Sequence, residues 1–205
     1  MDDTVAVSLF RHGLTEENKR RAYLGWSDSP LCPEAKKELK LEKPDFDLVI
    51  SSDLGRCLET ADILFPDRRA EVMKELREMH FGEWEGKTYG ELKDDSHYQS
   101  WLNDFLTVYP PGGESFAQFA CRTEEGWRRI SARILDHDAR KTAVITHGGV
   151  IRHLLSQLAP VKREFWEWSI PHDRGYELIW HKKDLRRGER CILLREVPLM
   201  ANPIG

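Results

Sequence analysis

Two apolar runs of this chain end in the same punctuation, and that repetition narrows the folds open to it. Val5, Val7 and Leu9 alternate with Ala6, Ser8 and Phe10, then give way to Arg11, His12 and Gly13. Far along the chain, residues 142–146 (TAVIT) give way to His147, Gly148 and Gly149, followed by an apolar segment that can open a helix. Runs this apolar suit strands buried on both faces. A buried strand does not normally run straight into a cation and an imidazole. Glycine lets the backbone turn sharply there and lets a ligand approach closely. In an open α/β sheet, ligands bind beyond the carboxyl ends of the strands. Two such junctions therefore place two imidazoles and a guanidinium at one rim of one sheet.

The rest of the pattern is of βαβ type. Leu48-Val49-Ile50 reads as another buried strand, and a short one is expected near Glu71–Met73. Pro33 opens a short helix to Leu39. Leu54, Cys57, Leu58, Ala61 and Leu64 predict a helix to about Phe65, with Ser52 or Asp53 as its cap. Residues 76–86 hold Glu78, Glu83 and Glu85 among glycines and aromatics, too irregular for an ordinary helix. Helices are expected at about 88–93 and 95–107, then a break at 110–115. A long amphipathic helix follows from about Ser115 to His137, with Phe116, Phe119, Ala120, Trp127, Ile130 and Ile134 on its apolar face. Another runs from Gly148 to Leu158. Residues 175–180 and 191–195 predict a β-hairpin at the sheet edge, with the charged run His181–Arg190 as its solvated turn.

At 205 residues, 40% hydrophobic and 32% charged, the chain is expected to form one globular domain. A net charge of −4 with both signs interspersed predicts no nucleic-acid surface, so an anion site must be built locally. No run reaches membrane-spanning length, and the acidic opening MDDTVAVSLF does not read as a signal peptide. Cys32, Cys57, Cys121 and Cys191 are scattered without a CxxC, which suits reduced, structural thiols in a cytoplasmic protein.

Arg56 falls in the first turn of its helix, just past a strand. A cation is disfavoured beside the positive end of the helix dipole, so an anionic ligand explains it better than helix stability. The competing reading is an exposed Arg56 paired with Glu59. Two imidazoles, two guanidiniums and a carboxylate suit phosphoryl transfer through a covalent phosphohistidine, which splits a difficult hydrolysis into two easier steps. Guanidinium forks match phosphate oxygens, and the second imidazole, if protonated, adds a donor where charge develops. The leaving alkoxide needs a proton, for which a carboxylic acid with a raised pKa is the usual donor. No metal-ligand spacing is present and no cofactor is implied. A metal-dependent hydrolase built on His12, His80 and His147 is the competing chemistry.

RHG at 11–13, SSDLGRCLETA at 51–61, the Glu78 segment and ITHGG at 145–149 occur in this order over residues 5–155. Together they resemble the histidine phosphatase superfamily, also called phosphoglycerate mutase-like. The resemblance implies a three-layer α/β/α sandwich on a largely parallel sheet, one domain over 1–205. It implies His12 as the nucleophile, Arg11, Arg56 and His147 as the rest of the phosphate pocket, and Glu78 as the proton donor. Asn18 would contact the phosphate, and Thr15 would assist. The chain departs from the family's usual pattern at Leu14, Glu17 and Gly55, none of which removes a needed charge.

HFGEWEGKTYGEL at 80–92, followed by PPGGES at 110–115, resembles the α-ribazole and broad-specificity phosphatase branch. The short insertion after the acid favours hydrolysis over mutase-type transfer, since an intermediate open to water is hydrolysed. The expected partner is a small-molecule phosphate ester, with no nucleic acid, membrane, metal or cofactor; monomer and homodimer both fit. Mutase-type transfer and a non-catalytic phosphate-binding protein are the alternatives. Tyr23, Trp26, Trp84 and Trp101 read as pocket walls or as core. His172 and Arg174 read as a second anion contact or, more simply, as a surface turn.

Overall fold

The computed structural model describes residues 3–41 and 45–199; residues 1–2, 42–44 and 200–205 of the expected 1–205 domain lie outside the described residues. Six strands form one sheet: β1 (Thr4–Arg11), β2 (Leu48–Ser51), β3 (Glu71–Val72), β4 (Lys141–Thr146), β5 (Arg174–His181) and β6 (Leu193–Pro198). Their order is β3-β2-β4-β1-β5-β6. The first four run parallel, and β5 pairs antiparallel with both β1 and β6. This is the expected three-layer, largely parallel architecture with a hairpin at its edge.

Alternation along the central strands divides the core between the two faces. Val5, Val7 and Leu9 of β1, Ile50 of β2 and Val144 of β4 pack against α6 (Phe116–Asp136) and α7 (Gly148–Leu158). Phe10, Val49, Ala143 and Ile145 point the other way, onto α3 (Gly55–Leu64) and onto Leu31 and Leu39, which flank α2 (Pro33–Glu38). A separate aromatic cluster of Trp84, Tyr98 and Trp101 with Leu92 joins α4 (Tyr89–Leu92) to α5 (Ser96–Asn103).

Local sequence explains the ends of several elements. Ser115 and Gln118 cap α6 reciprocally, as do Thr88 and Glu91 for α4. The cap expected at Ser52 or Asp53 is different: the N-cap position is Leu54, and Ser52 Oγ only accepts from the Leu54 N–H at 3.4 Å. Asp53 instead takes a bidentate grip on Arg77, at 2.7 and 2.6 Å. The helix expected at 95–107 stops at Asn103, where Asp104 folds back onto the backbone and hydroxyl of Thr107. Two short helices were not anticipated: α1 (Glu16–Arg20) follows the first His, and α8 (Lys182–Arg186) lies inside the charged hairpin connection. Both are one-turn structures carried by polar residues, without an apolar stripe to announce them.

Gly175 begins the face of β5 that meets β1. A Cβ there would lie 2.4 Å from Phe10 Cδ1 and 2.6 Å from the Leu9 carbonyl oxygen. Gly175→Ala should therefore cost about 1–3 kcal/mol by overpacking, read as a lower urea midpoint.

Candidate active site

Parallel pairing of β1 with β4 sets Arg11 opposite Thr146, so the residues just beyond, His12 and His147, meet at the carboxyl edge. The His12 N–H donates to the Thr146 carbonyl at 2.9 Å, and the two rings lie 5.2 Å apart, edge to face. His12 Nδ1 is 2.8 Å from the Gly13 carbonyl oxygen. A carbonyl only accepts, so Nδ1 carries the proton and Nε2 keeps its lone pair. Burial, then Arg56, His147 and Arg11, hold His12 well below the usual imidazole pKa. The ring is therefore neutral, with the Nε2 lone pair free.

His147 is fully buried, with Nε2 2.9 Å from Ser52 Oγ and 3.4 Å from Cys57 Sγ. Burial, then Arg56 and Arg11, depress its pKa as well. Its resting form is therefore neutral, and an adjacent anion is needed to favour the protonated donor.

Arg11 donates from Nη1 to the Ile170 carbonyl at 2.8 Å, and burial lowers its pKa to about 10 against the opposing pull of Glu78. Arg56 is 1% exposed and donates to the carbonyls of Ser27 and Gly25 at 2.9 and 2.6 Å. The reading of an exposed Arg56–Glu59 pair fails, and Glu59 pairs instead with Lys36 at 2.5 Å. The Nε groups of both Arg11 and Arg56 are buried without a partner. The same loop brings Asp28 against Gly55: a Cβ there would stand 2.5 Å from Asp28 Oδ2 and displace that carboxylate.

Glu78 is held at both ends. Its Oε2 accepts from the Gly149 N–H at the start of α7, and Oε1 from the Met79 N–H, each at 2.9 Å. Its own carbonyl accepts from Trp26 Nε1 at 2.8 Å and Arg122 Nη2 at 3.2 Å. Arg122 also donates to the carbonyls of Glu75 and Arg77, both at 2.9 Å, and to Glu114 through Nε and Nη2 at 3.0 and 2.8 Å. Glu85 ties the same segment to the loop below Arg56, accepting from the N–H groups of Trp26 (2.9 Å), Ser27 (2.6 Å) and Phe81 (3.1 Å). Sequence reasoning missed Arg122 and Glu114 altogether and counted Glu85 only as one carboxylate of its segment. Neither has a local spacing that marks it.

Arg11, His12, Asn18, Glu78 and Gly149 share one cavity of about 510 Å³. Two aromatic groups line much of the rest, Tyr23, Phe81 and Trp101, and Phe105, Phe165 and Trp166, with Arg152 beside the second. Buried Arg56 instead borders a separate pocket with Asp28, Gly55 and Glu59, and neither it nor buried His147 lines the cavity. Thr15 does not reach it: its hydroxyl accepts from the Asn18 N–H at 3.2 Å while Asn18 Oδ1 accepts from the Thr15 N–H at 3.4 Å. Thr15 thus orients Asn18. Trp84 is 2% exposed and belongs to the core, and Trp26 props the Glu78 backbone, so neither walls the cavity.

His172 corrects the surface-turn reading. β5 lies beside β1, so the turn preceding β5 falls at the carboxyl end of β1. There His172 Nδ1 donates to the His12 carbonyl at 2.8 Å, and burial pushes its pKa down to about 4. Arg174 does stay at the surface, paired with Asp173 and Glu196. His80 packs against the Trp26 ring at a tilt, and among the described residues His12, His80 and His147 do not form a group able to share one metal ion.

A profile of the histidine phosphatase superfamily (branch 1) matches residues 7–186. The chain belongs to that superfamily. The histidine phosphatase is 32% identical to the adenosylcobalamin/alpha-ribazole phosphatase of Escherichia coli (strain K12), over 87% of this chain and 89% of that one. Its fold superposes on the alpha-ribazole phosphatase from Shigella flexneri with a TM-score of 0.80, at 26% identity over 98% of each chain. A 2,3-bisphosphoglycerate-dependent phosphoglycerate mutase from Cytophaga hutchinsonii is 27% identical over 76% of this chain and 78% of its own. The chain is a phosphatase of this superfamily, and mutase activity is not the better supported alternative.

A Cβ at position 149 would lie 2.2 Å from Glu78 Oε1. Gly149→Ala should displace that carboxylate and lower kcat about tenfold or more with a smaller change in KM, measured by steady-state kinetics. The imidazoles set a pH dependence of stability. With folded pKa values depressed for His12, His147 and His172, the unfolded chain binds more protons below its own imidazole pKa of about 6.5. Stability is full above that value and should fall as pH drops through 6 and 5 toward the folded value of about 4 for His172. Urea unfolding at pH 7.5, 6 and 5 measures this, and a flat series would rule out neutral burial of these rings.

Proposed function

We propose that the protein hydrolyses small-molecule phosphomonoesters through a phosphohistidine on His12, with no metal ion. The observation that carries this reading is the tautomer of His12: its Nδ1–H is committed to Gly13, which leaves Nε2 as the nucleophile on the cavity that Arg11 and Glu78 share. Nε2 attacks phosphorus, the P–O bond to the alcohol breaks, and Glu78 gives its proton to the departing oxygen. Water then attacks the phosphohistidine while the Glu78 carboxylate takes its proton, restoring both groups. Arg11 and Arg56, each with a buried Nε–H that lacks a partner, supply donors for the phosphate oxygens. The phosphate charge favours protonation of His147, which adds a further donor as the transition state forms. Asn18 offers its amide NH2 from the cavity wall.

Hydrolysis, in preference to return of the phosphoryl group to a second hydroxyl, is supported by a cavity that reaches water past Leu102 (43% exposed) and Trp166 (56% exposed). A volume of about 510 Å³ between two aromatic groups suits a ring-bearing leaving group. The relatives' name makes an α-ribazole-type phosphate the first substrate to try. Free Cys32, Cys57, Cys121 and Cys191 suit a reducing, cytoplasmic setting.

Phosphate release from an aryl phosphate in excess EDTA tests the reading, with His12→Ala alongside. Wild-type release should survive the chelator, and the variant should lose at least about a thousandfold in kcat. Activity that disappears with EDTA, or that persists in the variant, would overturn it.

A further inference from the structure

Arg11 and Arg152 are the two cations on the cavity wall, and only Arg11 belongs to the phosphate floor. Arg152 sits on α7 three residues past Gly149, whose N–H holds Glu78. That spacing puts both on one helix face, about 5 Å apart along the axis. The guanidinium is fixed in direction: Nε donates to the Trp168 carbonyl at 3.0 Å, and its central carbon lies 5.3 Å from the centroid of the Trp166 ring. Its two Nη groups have no hydrogen-bond partner, and no acid pairs with it, among the described residues. The other arginines around the site, Arg11, Arg56 and Arg122, all spend Nη donors on backbone carbonyls. Burial already depresses the Arg152 pKa, the mark of a cation partly withdrawn from water. A half-buried, oriented fork with unspent donors has a reason to exist if a ligand supplies the acceptor.

We propose that Arg152 selects the leaving group: it donates to a hydrogen-bond acceptor, most strongly an anionic oxygen, on a ring held between the two aromatic groups of the cavity. The favoured substrates are then phosphomonoesters of ring-bearing alcohols or phenols that carry a second acceptor on the ring. Phosphate binds at the Arg11–His12 floor, the ring lies against Phe165, Trp166 and their neighbours, and Arg152 reads the far substituent. The assignment rests on the phosphatase reading above. The competing explanations are that Arg152 only supports the Trp166 ring, or that it only biases the nearby Glu78 carboxylate.

The test compares phenyl phosphate with 3- and 4-carboxyphenyl phosphate as substrates, using wild type, Arg152→Gln and Arg152→Lys in excess EDTA. Wild type should prefer at least one carboxylated ester by about tenfold in kcat/KM, chiefly through KM, as a charge-assisted hydrogen bond provides. Arg152→Gln should bring that ratio to about one, and Arg152→Lys, which keeps the charge but not the fork, should retain part of it. Calorimetric affinities for phenylphosphonate and its 3- and 4-carboxy derivatives give the same comparison without turnover. If no ester is hydrolysed, the phosphatase reading fails while the phosphonates still decide the role of Arg152. Equal binding and turnover of both kinds of compound by wild type, or a ratio that survives in Arg152→Gln, overturns the proposal. Either result would return Arg152 to supporting Trp166 or Glu78, a role that scales all substrates alike.

Discussion

The pairing of β1 with β4 is the constraint on which the rest of the site depends. The two strands are separated by about 130 residues of chain, yet their parallel register sets Arg11 against Thr146 and delivers both imidazoles to one edge. A slip of one residue would turn each strand's apolar set to the opposite face, from α6 and α7 toward α2 and α3. The same burial that fixes the hydrophobic layers therefore fixes the distance between His12 and His147. Catalytic geometry is here a consequence of core packing. The antiparallel addition of β5 beside β1 extends the logic, because it brings His172 to the carbonyl of His12.

A site holding two buried guanidiniums is electrostatically expensive, and the structure shows how that is contained. Backbone carbonyls of Ile170, Gly25 and Ser27 take part of each donor set without adding negative charge. Carboxylates would have neutralised the arginines more strongly, but they would also have competed with a phosphate dianion. The imidazoles answer the same field by staying neutral, which is the state a nucleophile requires. Positive potential is thus left available at His12 without a proton on its Nε2. Cys57, buried against His147 with its thiol pKa pushed well up, adds bulk to this pocket and no charge.

What could be read in the sequence follows from how local each signal is. Strand, imidazole and glycine are adjacent residues, so the floor at His12, His147 and Gly149 was legible, and Arg56 was legible because a cation sits oddly in the first turn of α3. The clamp on Glu78 was not. Arg122 reaches Glu75, Arg77 and Glu78 across more than 40 residues, from the polar side of a helix whose apolar face alone makes a pattern. Glu85 resembles any loop acid until the N–H groups of Trp26 and Ser27 are seen to converge on it. Gly55 looked like a family departure, and the structure sets it against the Asp28 carboxylate, which a larger residue would push aside. His172 depended on which strand β5 joins, a fact of topology that no dipeptide carries.

The chain thereby separates two kinds of recognition. The floor is assembled from short motifs at strand ends, charge-rich and indifferent to what the phosphate is attached to. The walls come from segments distant in sequence: Tyr23 after α1, Phe81 and Trp101 around α4 and α5, and Phe165 and Trp166 after α7. Hydrophobic contacts there supply area and shape, not direction, and a few added methylenes discriminate weakly between substrates. Directional contacts discriminate far more strongly, because an unmatched buried donor is left unsatisfied. In a cavity walled mainly by aromatic rings, a polar group placed beyond the proposed phosphate floor would therefore weigh more in substrate choice than its share of the surface suggests.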